Sequence, residues 1–238
     1  MAPNNMRTDH PLRSLPWLTA FFIAMAFLES AVVVYLRALY YPDGFRFPLV
    51  PLDTRLMVTE MGRELATLVM LLAPAAIASR SALERFAWFS IGFGIWDIFY
   101  YVWLWVLLGW PSSLADPDLL FLLPVPWVGP VWAPCLISAG LITLGLVILH
   151  ARSKDEAYRI GGQAWFLLVG GALLMVVSFT LGPALLLTDA PVGGVENGLL
   201  PLTADDFRIA WYMAGWALAI AGLLLARSKG AASGRRHT

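Results

Sequence analysis

Residues 86–108 read FAWFSIGFGIWDIFYYVWLWVLL, a stretch with one charged side chain, Asp97, near its middle. A helix needs about 20 apolar residues to cross roughly 30 Å of hydrocarbon, so this stretch reads as a transmembrane helix with a carboxylate at mid-membrane. A charge there costs about 2.5–3.5 kcal/mol on insertion scales. Asp97 must therefore face protein or a cavity, and its surroundings become the place to look for function.

Working outward, five more stretches are long and apolar enough to span: 15–36, 56–78, 131–149, 164–187 and 209–226. The predicted fold is all-α, a polytopic transmembrane helical bundle of about six spans in a single domain, 1–238. Of the 238 residues, 59% are hydrophobic and only 13% charged, against about 25% charged in soluble domains. The net charge is zero, which argues against nucleic acid as a partner. The expected partners are the lipid bilayer and, in addition, other membrane subunits.

Lysine and arginine predict the orientation. Arg7, Arg13, Arg80, Arg85, Arg152, Lys154, Arg159, Arg227, Lys229, Arg235 and Arg236 all fall on one side of a six-span chain. Both termini are therefore expected to be cytoplasmic. Arg37, Arg46 and Arg55, in or beside the first outer loop, go against that rule and call for acidic partners. The basic N-terminus followed by an apolar run is read as a retained first helix, because the run is long and contains Glu29.

Five ionisable side chains lie within predicted spans, all in the first half: Glu29, Glu60, Arg63, Glu64 and Asp97. Glu60, Arg63 and Glu64 stand at i, i+3 and i+4 and share a helix face, which Thr67 extends. Tyr100 and Tyr101 follow Asp97 by three and four residues, so their hydroxyls are expected to donate to it. Gly92 and Gly94 leave room one turn earlier for a neighbouring helix. Glu29, Glu60, Arg63, Glu64, Asp97, Tyr100 and Tyr101 make the candidate polar cluster, and by depth Glu29, Glu64 and Asp97 are expected to meet in the middle-to-outer bundle if the first three helices are neighbours. Spans four to six carry no charge in their apolar cores, which weakens an inverted three-plus-three repeat of the transporter kind.

Two stretches are read as non-helical. Tyr40, Tyr41, Pro42, Asp43 and Gly44 form a turn. Residues 119–134, LLFLLPVPWVGPVWAP, are apolar but hold four prolines, each of which removes a backbone donor. An interfacial or partly re-entrant segment is expected there. Ser178 with Gly182, Ala210 with Ala214, and Ala217 with Ala221 offer small-residue pairs for close helix packing.

Cofactor chemistry has little support. Cys135 is the one cysteine, and His10, His150 and His237 lie outside or at the ends of the spans. No cofactor and no metal site is assigned, although a carboxylate-only set would suit Mg²⁺, Ca²⁺ or Mn²⁺ over zinc. No G-x-S-x-G nucleophile motif is present, so no catalytic residue is assigned.

The runs FGIWDIFYY (93–101), Gly109, Trp110 and Pro111, and LLFLLPVPWVGPV resemble an uncharacterised group of bacterial polytopic membrane proteins. The resemblance covers most of the first four spans. It implies a multi-pass protein of the bacterial inner membrane and no known activity. Three functions are weighed: an accessory, scaffold or assembly component; a proton- or cation-coupled carrier or channel using the carboxylates; and an intramembrane lipid-modifying enzyme. The sequence favours them in that order.

Overall fold

A computed structural model describes residues 15–45, 47, 53–79, 81–189 and 206–234 of the chain, with the side chains of 187–189 and 228–234 outside that description. Arg7, His10, Arg13, Arg46, Arg80, Arg235, Arg236 and His237, used in the orientation and metal arguments, lie outside the described residues. Six helices carry the fold: α1 (Leu15–Tyr40), α2 (Thr54–Ala78), α3 (Ala82–Leu108), α4 (Trp132–Lys154), α5 (Gly162–Asp189) and α6 (Ile209–Gly234). Two short strands, β1 (Pro117–Phe121) and β2 (Trp127–Pro130), lie between α3 and α4. Helices of 23 to 28 residues extend about 35–42 Å at 1.5 Å per residue. All six are long and apolar enough to cross a membrane.

Local chemistry sets the helix ends. The Asp53 carboxylate accepts a hydrogen bond from Leu56 N at 3.0 Å and starts α2, satisfying one of the unpaired N–H groups of its first turn. At the far end of α3, Gly109 takes φ +65° and returns its N–H to Trp105 O at 2.9 Å. A left-handed residue here closes the helix, and glycine adopts it without steric cost.

Helix α3 is the axis of one subassembly: α1, α2 and α4 all pack along it, while α1 and α2 make little backbone contact with each other. Helices α5 and α6 form a second, tightly paired unit. At its crossing point a Cβ on Gly171 would stand 2.6 Å from Gly215 O, and a Cβ on Gly215 would stand 2.6 Å from Gly171 O. The small-residue pairs named from the sequence are not this crossing. The two units meet through α4 against α6 and through β2 against α5, and an apolar groove is left between them.

The proline-rich stretch, non-helical as expected, forms an antiparallel hairpin. Asp118 pairs with Gly129 and Leu119 with Val128, and a bulge precedes the Phe121–Trp127 pair. Its prolines occupy places that need no donor. Pro124 and Pro126 lie in the turn, Pro117 and Pro130 pair at the open end, and Pro134 sits in the first turn of α4. Proline is tolerated at such positions because no ladder or helix hydrogen bond is lost. The hairpin lies across the end of the bundle: Val128 is fully buried among Tyr41, Phe45, Phe47, Leu119 and Leu186.

Candidate functional site: a carboxylate-lined cavity under the hairpin

Beneath the hairpin α1 and α2 each pack on α3 and make little backbone contact with one another. Ser30 Oγ lies 2.9 Å from Ala26 O and 3.0 Å from Tyr100 O, and Trp103 Nε1 donates to Ile23 O at 3.1 Å. These contacts fasten α1 to α3. The gap left between α1 and α2 is bridged by side chains. Arg63 forms an ion pair with Glu29 and donates from Nε to Glu60 Oε2 at 2.8 Å. Thr67 Oγ1 donates to Glu29 Oε2 at 3.0 Å.

Of the three residues sharing a face of α2, Arg63 pairs with Glu60 but makes no ion pair with Glu64 among the described residues. Adjacent residues on a helix do not face each other, so Arg63 turns to Glu29 across the gap. Glu64 instead receives the hairpin tip: Leu122 N donates to its two oxygens at 2.8 and 3.1 Å, and Leu123 N donates at 3.2 Å. The carboxylate completes backbone groups in a turn where prolines leave few alternatives.

The tyrosines depart from expectation as well. Tyr101 donates to Asp118 Oδ2 at 3.2 Å rather than to Asp97. Tyr100 turns its ring into the space beneath the hairpin and makes no side-chain hydrogen bond to another described residue. Asp97 has one described hydrogen-bond partner, the Ser138 hydroxyl of α4, 2.8 Å from Oδ2. That partner arrives because α4 approaches very closely: a Cβ on Gly94 would stand 2.5 Å from Ser138 O. Gly92 faces α1, where the ring of Phe22 fills the place of its missing side chain.

Asp118 and Arg37 complete the site. The Asp118 carboxylate, 2% exposed, takes Arg37 Nη2 at 3.3 Å on its other oxygen. Arg37 lies 3.7 Å from the Trp110 ring centroid and 4.2 Å from that of Phe45, a cation–π arrangement that makes its burial less costly. Burial raises the Asp118 pKa to about 6, although Arg37, Tyr101 and the Leu119 N–H pull it down. The sequence reading gave neither Asp118 nor Ser138 a role in the site: residues 119–123 beside Asp118 are continuously apolar, with no alternation that would place residue 118 on the inner face of a hairpin.

All seven predicted residues, with Arg37 and Asp118, line one cavity of about 130 Å³. A second cavity of about 430 Å³ fills the groove between the two helix units and is walled almost wholly by apolar side chains, including Phe93, Leu144, Val176 and Trp216. The two share Asp97, Leu120 and Phe121. Asp97 therefore borders both cavities. No three described His, Cys, Asp or Glu side chains converge as metal ligands would. Compared with known proteins, the chain matches no family profile, no curated protein and no solved structure.

Proposed function

We propose that this multi-pass membrane protein binds one amphipathic molecule of the membrane, its polar head under the hairpin and its apolar chain in the groove between the α3–α4 and α5–α6 pairs. One observation carries the reading: the carboxylate-lined cavity and the apolar groove meet at Asp97, Leu120 and Phe121. Ligand sites are concave and mostly apolar, with a few convergent polar groups, and this pair of cavities divides those properties end to end. A chain-bearing molecule fits that division.

A carrier of protons or small cations would use a polar path through the bundle. Here the carboxylate-lined cavity shares wall residues with an apolar groove and is itself lined largely by apolar surface, which favours a lipid-like ligand over a bare ion. An accessory role, put first by the sequence, is compatible with a bound amphiphile that fixes the shape of the bundle. The membrane proposed is the bacterial inner membrane, with both termini in the cytoplasm. The resemblance of the first four spans and the one-sided distribution of basic residues support that assignment.

The test is native mass spectrometry of protein taken into nanodiscs of total bacterial lipid. Wild-type protein should retain one lipid mass per protomer through stepwise activation. Ala172 lines the groove on an exposed face of α5, so Ala172→Phe should narrow the groove without disturbing the core and lose that mass. Equal retention by both proteins would overturn the reading.

A further inference from the structure

The head that the polar cavity takes can be narrowed by asking which of its wall charges are already answered. Five carboxylates line it, those of Glu29, Glu60, Glu64, Asp97 and Asp118, against two described guanidiniums, those of Arg37 and Arg63. Arg37 is engaged by Asp118, and Arg63 by Glu29 and Glu60 together. Glu64 takes the hairpin N–H groups of Leu122 and Leu123. Asp97, on the wall shared by the two cavities, is 6% exposed and makes no ion pair with a described residue. Its Oδ2 accepts from Ser138, while Oδ1 has no described partner and is not sealed by protein. A nine-tenths buried carboxylate thus keeps one oxygen open to the space it lines.

That oxygen calls for a donor, and the surplus of carboxylates calls for positive charge. A phosphate head would add negative charge to the wall. A hydroxyl head would donate to Asp97 and leave the surplus as it stands. A primary ammonium carries one positive charge and three donors, with no acceptor of its own to satisfy, and a hydrogen bond from it to a carboxylate is of the strong, charge-assisted kind. The Tyr100 hydroxyl, which makes no hydrogen bond to another described residue, lines the same space as a second acceptor, and the rings of Trp96 and Phe121 line it too. Aromatic faces attract a cation. No three described acidic side chains converge as metal ligands would, which favours a molecular cation over a metal ion.

Resting on the amphiphile reading, we infer that the head is a primary ammonium that donates to Asp97 Oδ1. The chain attached to it would leave past Leu120 and Phe121 into the groove.

The experiment compares four probes with the same twelve-carbon chain: dodecylammonium, dodecyltrimethylammonium, monolauroylglycerol and dodecyl phosphate. Each is titrated into protein in phosphatidylcholine nanodiscs, which carry neither net charge nor a primary amine. Occupancy is read by native mass spectrometry at equal mole fraction of probe in the bilayer. Dodecylammonium should bind at least tenfold more tightly than each of the others. Asp97→Asn keeps the size of the side chain and a partner for Ser138 but removes the charge. It should cut the preference over monolauroylglycerol to under threefold, with binding of monolauroylglycerol itself unchanged. Should Asp97→Asn fail to fold, the two cationic probes on wild-type protein decide, because the trimethyl head has the charge and no N–H to donate. Lauroyl lysophosphatidylethanolamine separates two sources of the same head. Binding equal to dodecylammonium assigns the ammonium to an ethanolamine phospholipid, and weaker binding assigns it to a simple long-chain amine. Preference for the glycerol or phosphate probe, or equal binding of the primary and trimethyl heads, would overturn the primary ammonium and leave the amphiphile reading standing. Binding of no probe, or binding indifferent to Ala172→Phe, would overturn the amphiphile reading itself.

Discussion

Helices α1 and α2 and helices α5 and α6 are both pairs of antiparallel neighbours in sequence, yet they are held in opposite ways. The α5–α6 pair closes through Gly171 and Gly215, backbone against backbone, with no charged side chain between them. The α1–α2 pair does not close. Its two helices stand apart beneath the hairpin and are tied by Arg63 to Glu29 and Glu60, with the hairpin pinned above by Glu64. In a membrane, small residues let helices touch and gain dispersion contacts. Polar pairs at depth hold helices at a distance and keep a space between them, and buried charges without partners are too costly to persist. The α5–α6 interface is built to exclude space and the α1–α2 interface to keep it.

The largest break in that comparison should come from Arg63→Met. It strips Glu29 and Glu60 of their shared cation, and removing one member of a buried ion pair costs about 3–5 kcal/mol. Thermal unfolding in nanodiscs should show the loss, and Arg63→Met with Glu29→Gln and Glu60→Gln should recover much of it. A single variant with an unchanged midpoint would mean that the α1–α2 gap is held open by something other than this pairing.

Sensitivity to pH should also belong to the charged half. Burial holds the Asp118 carboxyl at about 6, above its ordinary 3.8. Below about pH 4 the group is protonated folded and unfolded alike and contributes no slope. Between about 4 and 6 the folded state keeps a proton that the unfolded state releases, so stability falls as pH rises, by up to about 3 kcal/mol for a shift of about two units. Asp118→Asn has no proton to keep, and its unfolding midpoint should vary less with pH across that window. The same slope in wild type and variant would discard the assignment.

On the other side, Gly215→Leu drives a side chain into the Gly171 carbonyl. Overpacking costs about 1–3 kcal/mol, and here the obstacle is backbone, so the upper end is expected. Such a variant should lose α5–α6 stability while the ranking of head-group probes stays as in wild type. A changed ranking would show that the polar cavity and the packed pair are not separable.

How much of this could be read from the chain follows the same division. The six spans were legible because apolar length is a local property, and each helix begins within four residues of its expected place, although α4 and α6 run five and eight residues beyond their expected ends. The polar cluster was legible as a set because charges at depth stand out against apolar surroundings. Its pairing was not. Whether Arg63 turns to Glu64 or to Glu29 depends on how far α1 stands from α2, which no local pattern records. Asp118 was missed because apolar flanks with prolines read as an irregular connection, and only the hairpin register turns it inward. Ser138 gives no signal at all, since a lone serine in an apolar helix ordinarily bonds its own backbone. It is assigned to Asp97 only by the close approach of α4 at Gly94.

That serine supports the smallest prediction and the most discriminating one. Ser138 is the one described hydrogen-bonding side chain by which the α4–α6 half reaches the site. Ser138→Ala removes the sole described partner of Asp97. Were Asp97 sealed in protein, an orphaned carboxylate would cost several kcal/mol. Because Asp97 borders both cavities, water or a ligand ammonium can take the place of the serine, and the cost should be about 1 kcal/mol, that of an ordinary hydrogen bond. Unfolding midpoints of Ser138→Ala with and without dodecylammonium measure this directly, and the probe should narrow the difference from wild type. A loss of several kcal/mol that the probe does not relieve would place Asp97 in a closed pocket, and the junction between the polar and apolar cavities would then not be a route for any molecule.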